Sequence, residues 1–223
     1  MIKKLIHYFL KNPCLNCGSK QTFPYFHICG SCANDLKPVR NTPYICSICH
    51  SFKGISGTKC YNCKNLQIYW DSLESCFWYK DFVIKELVHA FKFQGYRTAE
   101  YDLVRILAKF LTPYQGREAV IIPCSRTTYW NLGFNPVKQI LKHFNIKAVE
   151  WSVKTDPSIA QKNLSGKERK SRRDFLKLNT KNIPNEVLLI DDIITTGSTV
   201  NEAARLLKNA GAQKVNILAF FRN

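Results

Sequence analysis

Two acids and a run of hydroxyls lie side by side in Val187–Thr199, VLLIDDIITTGST. Asp191 and Asp192 follow four apolar residues, Val187–Ile190, that read as a short buried strand. Thr195, Thr196, Gly197, Ser198 and Thr199 come next, and Val200–Ala210 has the spacing of a helix. Hydroxyls and a glycine at the mouth of a helix make a phosphate cradle. Exposed backbone N–H groups and the helix dipole favour a dianion, and Gly197 lets the backbone approach it closely. Carboxylates at the carboxyl end of the strand suit ribose hydroxyls, which donate hydrogen bonds. A plain Asp turn with a Thr cap accounts for one acid or one hydroxyl, not for two acids and four hydroxyls around one glycine. No Gly-Lys-Ser/Thr is present, which excludes a Walker loop.

A second chemistry belongs to sulfur. Four C-x2-C pairs stand in a row: Cys14/Cys17, Cys29/Cys32, Cys46/Cys49 and Cys60/Cys63. Each pair aims two thiolates at one metal, and two pairs complete a tetrahedral zinc site. Eight cysteines suffice for two structural Zn2+ ions. Sequential pairing of the knuckles makes a tandem double zinc ribbon, interleaved pairing is also possible, and spacing does not choose between them. A shell filled by four thiolates leaves no open position for catalysis. A segment this short and polar has little core of its own, so metal supplies much of its folding energy. His27 and His50 beside the knuckles could substitute as ligands, and read first as surface residues.

The elements that position these groups divide the chain into a cysteine module, 1–70, and an α/β body, 71–223. In the body, Ser72–Tyr79 reads as a strand, Phe82–Phe93 and 99–111 as helices, and Ala119–Ile122 as a strand ending at Pro123-Cys124-Ser125-Arg126. Phe134–Phe144 looks helical, Ala148–Val153 strand-like, and Val215–Phe221 is the last strand. Strands alternating with helices give a mostly parallel sheet covered on both faces. Ligands in such sheets bind beyond the strand carboxyl ends, so the 123–126 and 191–199 loops can share one site. Arg126 has the fork of donors that suits a pyrophosphate, or it is a surface arginine in a turn. Residues 157–174 have no apolar period and carry six basic residues, among them Lys162, Lys167 and Arg169. Such a connection can close as a lid over a polyphosphate, track a nucleic-acid backbone, or simply be solvated. Trp130 reads as a core residue before a base-stacking one.

Composition bounds the partners. The chain has 223 residues, is 45% hydrophobic, and carries a net charge of +17. That hydrophobic content provides a real core and excludes wholesale disorder. The charge points to a polyanion, whether nucleic acid, a phosphorylated ligand or an anionic membrane face. No apolar run is long enough to span a bilayer. Met1–Leu10 lacks a cleavage site and reads as a short amphipathic helix. Ten cysteines, eight in paired spacings, favour metal in a reducing cytoplasm over secreted disulfides.

The 191–199 stretch resembles the 5-phosphoribosyl-1-pyrophosphate (PRPP) loop of type I phosphoribosyltransferases. The whole chain resembles the ComF/GntX family of competence-associated proteins. The matching pieces are the C-x2-C array, Phe91-Lys92-Phe93-Gln94-Gly95, Gly133-Phe134-Asn135, Gln161-x-x-Leu164 with Arg169, the PRPP loop, and a final strand ending in Arg222. The resemblance implies a type I phosphoribosyltransferase-like sheet flanked by helices, with a small N-terminal double zinc ribbon. It implies that Asp191 and Asp192 hold the ribose, and that Thr195–Thr199 holds its 5′-phosphate. Ser125 and Arg126 then lie at a pyrophosphate loop, Gln161, Lys162, Lys167 and Arg169 in a lid, and Mg2+ bridges the pyrophosphate oxygens. It also implies a cytoplasmic factor for natural transformation that handles incoming single-stranded DNA beside a ComFA-type helicase and a recombination mediator. A nucleotide-salvage transferase and a zinc-ribbon adaptor with a vestigial PRPP site are the alternatives, and the acceptor of any transfer is open. The chain departs from the family at Leu132 and Pro136, where Arg and Gln are usual, at Arg172 in place of Asn, and at Thr127–Trp130.

Overall fold

The computed structural model describes residues 13–19, 26–52, 59–65, 67–93, 98–154, 176–180 and 182–223. The readings of Met1–Leu10 as a helix and of 157–174 as a lid, with Gln161, Lys162, Lys167 and Arg169, lie outside the described residues. Five parallel strands form the central sheet, in the order β1-β7-β6-β2-β3. These are β1 (Ser72–Trp78), β2 (Glu118–Ile121), β3 (Lys147–Val149), β6 (Glu186–Ile194) and β7 (Lys214–Arg222). Both faces are covered, which is why β6 and β7 read as near-continuous apolar runs rather than alternating ones. A separate antiparallel pair, β4 (Ser152–Lys154) with β5 (Leu176–Leu178), flanks the 155–175 segment. The single strand expected over Ala148–Val153 is therefore two strands, in two sheets.

Among the described residues, seven α-helices accompany the sheet. In the cysteine-bearing part are α1 (Gly30–Asp35) and α2 (Tyr61–Asn65). The body holds α3 (Phe82–Phe93), α4 (Thr98–Leu111), α5 (Arg126–Leu132), α6 (Pro136–Lys142) and α7 (Ser198–Asn209). On α4, Leu103, Ile106, Leu107 and Phe110 recur at helical spacing and are buried. The α4 face also buries two acids, each with partners. Glu100 accepts from His143 at 2.6 Å and Gln139 at 2.9 Å, and Asp102 holds the cysteine-bearing segment as described below.

The chain also shows where the sheet opens. Strand β2 ends at Ile121, and the Ile122 N–H makes one more bond to the β6 carbonyl of Ile190 at 3.1 Å. Pro123 then has no N–H to continue the ladder. Strand β6 does not stop at Ile190 as its sequence suggests. It runs four residues further, paired with β7 through Asp191↔Ala219, Ile193↔Phe221 and Ile194↔Arg222. The end of β6 thus has a neighbour on one side and a cleft on the other.

Candidate functional site at the carboxyl edge of the sheet

Asp191 and Asp192 lie on this overhanging end of β6, both half-buried. Together with the 122–125 turn and Asn135 they line a cavity of about 200 Å3. The acid pair and the Pro123–Ser125 turn, far apart in sequence, therefore face one space. Asp191 Oδ1 accepts the Asp192 N–H at 2.9 Å, and Asp192 Oδ1 accepts the Ile193 N–H at 2.6 Å. The other Asp192 oxygen takes the ammonium of Lys92, from the last turn of α3. Lys92 is 11% exposed, so its charge is largely withdrawn from water. In sequence Lys92 is part of the Phe91–Gly95 motif; its meeting with Asp192 is set by how α3 crosses the sheet edge.

The hydroxyl loop follows directly. Gly197 adopts φ 81° and is the N-cap of α7, a conformation that other residues rarely take. Thr196 and Ser198 hydroxyls are 2.9 Å apart, and the Ser198 N–H donates to Thr196 Oγ1 at 3.3 Å. Thr195, Thr196 and Ser198 are exposed, while Gly197 is buried against Trp70, whose ring lies 3.6 Å from where a Cβ would stand. The helix begins at Ser198, two residues earlier than its apolar period indicates. That places the hydroxyls at the N-terminus of a 12-residue helix.

Ser125 is not at a bare turn. It caps α5, accepting the Thr128 N–H at 3.0 Å, and its hydroxyl is 2.8 Å from that of Thr128. Arg126 is the first residue of α5, and its side chain lies outside the described residues. The α5 helix replaces the expected loop, and it turns Trp130 outward: 84% of Trp130 is exposed, which corrects its reading as core. Tyr129 is exposed beside it. Asn135, from the Gly133-Phe134-Asn135 motif, is 4% exposed and structural. It caps α6 by accepting from Val137 and Lys138, and it donates to the Ile122 carbonyl and to Glu150.

The eight cysteines settle into two groups by sequential pairing: Cys14, Cys17, Cys29 and Cys32, then Cys46, Cys49, Cys60 and Cys63. Within each group the four sulfurs lie within 4.8 Å of one another. Cys17 and Cys29 sulfurs are 3.8 Å apart, and Cys49 and Cys60 sulfurs 3.7 Å. A tetrahedral ion with sulfur ligands at about 2.3 Å gives edges of about 3.8 Å, so both groups fit Zn2+. N–H donors already point at the sulfurs, from Cys29 and Cys60 at 3.3 Å to Cys14 and Cys46 respectively. Burial pushes the Cys14 thiol up, but the N–H groups of Cys17, Cys29 and Asn16 outweigh it and bring it to about 6. At Cys60 burial also raises the pKa, and the Cys63 N–H and Ser51 hydroxyl bring it down to about 6. His27 is not a surface residue, since it bonds buried Asp102. His50 is half-buried beside Arg222.

Arg222 joins the second group to the hydroxyl loop, and sequence gave no role for it. The side chain is 2% exposed. Its Nε donates to the Cys49 carbonyl at 2.8 Å, and one terminal nitrogen donates to the carbonyls of Ile194 at 2.9 Å and Thr195 at 2.5 Å.

The sequence profile of the phosphoribosyl transferase domain matches residues 101–223, which hold the acid pair, the hydroxyl loop and four of the five sheet strands. The chain belongs to the phosphoribosyl transferase domain family. Within this family assignment the similar proteins carry a narrower theme. The chain is 29% identical to competence protein ComFC of Streptococcus pneumoniae, over 80% of this chain and 87% of that protein. It is 27% identical to competence protein F of Haemophilus influenzae, over 96% and 98%. It is also 27% identical to DNA utilization protein YhgH of Salmonella typhi, over 94% and 96%. Those last two matches span the cysteine groups as well as the phosphoribosyltransferase fold, so the combination resembles these proteins as a whole. Among the described residues no helix is long and apolar enough to cross a membrane.

Proposed function

We propose that this phosphoribosyltransferase-family chain binds PRPP, or a closely related phosphoribosyl ligand, with Mg2+, and serves DNA uptake in natural transformation. The observation that carries this reading is the acid pair on the overhanging end of β6. Asp191 and Asp192 share a cavity with the Pro123–Ser125 turn and lead straight into a hydroxyl loop at a helix N-terminus. Ribose hydroxyls donate to the two carboxylates, Thr195–Thr199 receives the 5′-phosphate, and the Ser125–Arg126 corner lies toward the pyrophosphate. Gln161, Lys162, Lys167 and Arg169 close over it. Mg2+ bound with the ligand would neutralise charge on its pyrophosphate. In this reading residues 1–70 are a separate zinc-bearing module and 71–223 the ligand-binding domain.

The DNA part rests on the competence names of the relatives and on surface chemistry. Tyr129 and Trp130 are exposed on α5, next to a groove of about 480 Å3 whose lining includes Tyr129, Lys138 and Lys142. Exposed rings beside lysines suit the bases and backbone of a single strand. A helicase of the ComFA type and a recombination mediator, in the cytoplasm, are the partners this role calls for.

Calorimetric titration of the metal-loaded protein with PRPP and Mg2+, repeated on Asp191→Ala/Asp192→Ala, tests the ligand. Micromolar binding that the double variant loses supports the reading. Absence of binding to a well-folded wild-type protein sinks it, and leaves a scaffold that meets DNA through its basic surface. Loss of transformation in a well-folded Asp191→Ala/Asp192→Ala strain distinguishes a working site from a vestigial one.

A further inference from the structure

A buried guanidinium needs a countercharge and a full set of acceptors. Among the described residues, the polar partners of Arg222 are the carbonyls of Cys49, Ile194 and Thr195, the main-chain oxygen of Asn223, and the Cys49 sulfur at 4.0 Å. No side-chain carboxylate is in this set. The side-chain negative charge at hand is sulfur: four thiolates around a divalent ion would carry a net charge of −2, and Cys49 is one of them, while the main-chain oxygen of Asn223 also faces the guanidinium. The same guanidinium grips the two residues that lead into the hydroxyl loop. Other contacts join these parts. The Asn223 N–H donates to the Ile194 carbonyl at 2.9 Å. Asn201 of α7 accepts from the Tyr69 N–H and donates to the Gln67 carbonyl. Trp70 packs on Gly197.

We propose that Arg222 is a positioning residue that makes the shape of the phosphate loop depend on metal at the second cysteine group. With an ion held by Cys46, Cys49, Cys60 and Cys63, the Cys46–Cys49 turn is fixed and the sulfur cluster balances the guanidinium. Arg222 then holds Ile194 and Thr195 where the Thr195–Thr199 N–H groups can meet a phosphate. Without the ion, nothing ties the Cys46–Cys49 turn to Cys60 and Cys63, the Cys49 carbonyl that anchors Arg222 is free to move, and the Ile194–Thr195 carbonyls lose a fixed donor. Among the described residues the first group shows no such line to the loop; it docks on α4. Linkage is reciprocal: a phosphate ligand seated in the loop raises the metal affinity of the second group by the factor that the metal improves the ligand's affinity. The functional half of this inference rests on the phosphate-binding reading of 195–199; the structural half does not.

The test loads the full chain with Co2+, whose thiolate charge-transfer absorbance reports the summed occupancy of the two groups, and reads amide hydrogen exchange peptide by peptide, which tells the groups apart. EDTA withdraws the ion, and ribose 5-phosphate is the ligand probe. Exchange at 194–199 is expected to rise at least tenfold as the second group empties. Cys60→Ser is expected to raise exchange at 194–199, whereas Cys29→Ser raises it at 26–36 and in α4. Arg222→Gln has a loop that exchanges fast at every cobalt level, because the connection is cut. Arg222→Lys restores part of the protection, since one ammonium supplies charge without the fork that reaches Cys49 and Thr195 together. Should a cysteine variant fail to fold, the EDTA titration of the wild-type chain still decides. The proposal is overturned if loop exchange ignores the cobalt absorbance, if both cysteine variants change the loop equally, or if Arg222→Gln keeps the metal response. A wild-type chain whose loop follows cobalt but binds no ribose 5-phosphate refutes the phosphate reading and leaves the coupling standing. One that binds ribose 5-phosphate equally well with the second group empty does the reverse.

Discussion

The two cysteine groups have the same ligand spacing and differ in what they are fastened to. The first docks on the flank of α4 through a buried carboxylate. Asp102, whose side chain is fully buried, accepts from the His27 N–H at 2.6 Å, His27 Nδ1 at 3.1 Å and Arg105 at 2.8 Å. Arg105 also donates to the Ile28 carbonyl at 2.6 Å and lies over the Phe26 ring. The second docks on the carboxyl edge of the sheet through a buried cation, Arg222, and touches the hydroxyl loop. One group has its anion in the helix and its contacts with the flank. The other has its cation in the strand and its contacts at the site. A repeated motif therefore serves two purposes, and the difference lies in the body's residues rather than in the cysteines.

Metal removal gives the largest effect. Apparent metal-binding free energies of about 10 kcal/mol or more per structural zinc make chelation unfold both cysteine groups, seen as a loss of thermal stability. The comparison breaks if restoring one equivalent, at either group, recovers ribose 5-phosphate binding to the same degree. Asp102→Ala comes next. It leaves Arg105 and His27 without their shared anion, and breaking a buried pair costs about 3–5 kcal/mol. Denaturant unfolding should show that loss, with exchange rising at 26–36, while ribose 5-phosphate affinity in the folded population changes far less than in Arg222→Gln. Lys92→Met is smaller. It strands a half-buried carboxylate for about 1–3 kcal/mol, and it lowers the Mg2+ concentration needed for PRPP binding because Asp192 is no longer neutralised. A higher Mg2+ requirement would instead make Lys92 a ligand group. Gly197→Ala is smallest. The Cβ meets Trp70 at an ordinary contact distance, so the cost is the left-handed conformation, about 1–2 kcal/mol in thermal unfolding.

Much of the fold was legible because its signals are local. The apolar runs of β2, β6 and β7 and the helical periods of α3 and α4 appear as their sequences indicate. The hydroxyl loop was legible because glycine and four hydroxyls at a helix start are informative by themselves. The end of β6 was misjudged because Asp191-Asp192 looks like a strand terminus, whereas pairing with β7 carries the strand to Ile194. Helix α5 was missed because Arg126–Leu132 has no apolar period and a single cap, Ser125, as its signal. Near-equal gaps do not choose a knuckle pairing, and chain geometry brings the knuckles together in sequence order. Lys92 and Arg222 have partners 100 and 173 residues distant in sequence, at Asp192 and Cys49, which no local pattern announces.

The strand order has a consequence for how the molecule assembles. Among the described residues strand β1 lies at the edge of the sheet with β7 beside it, and β7 inserts between β1 and β6. Ser72 and Asn216, whose side chains meet at 2.7 Å, are separated by 144 residues of sequence. Closing so long a loop is slow, and contacts of this range form late. During synthesis the cysteine groups emerge and can capture metal well before β7 exists. The second group must then wait, loaded but unattached, until β7 threads into the middle of the sheet and delivers Arg222. Folding kinetics should therefore show two events, an early metal-limited one and a late one in which β1, the second group and the ligand loop lock together.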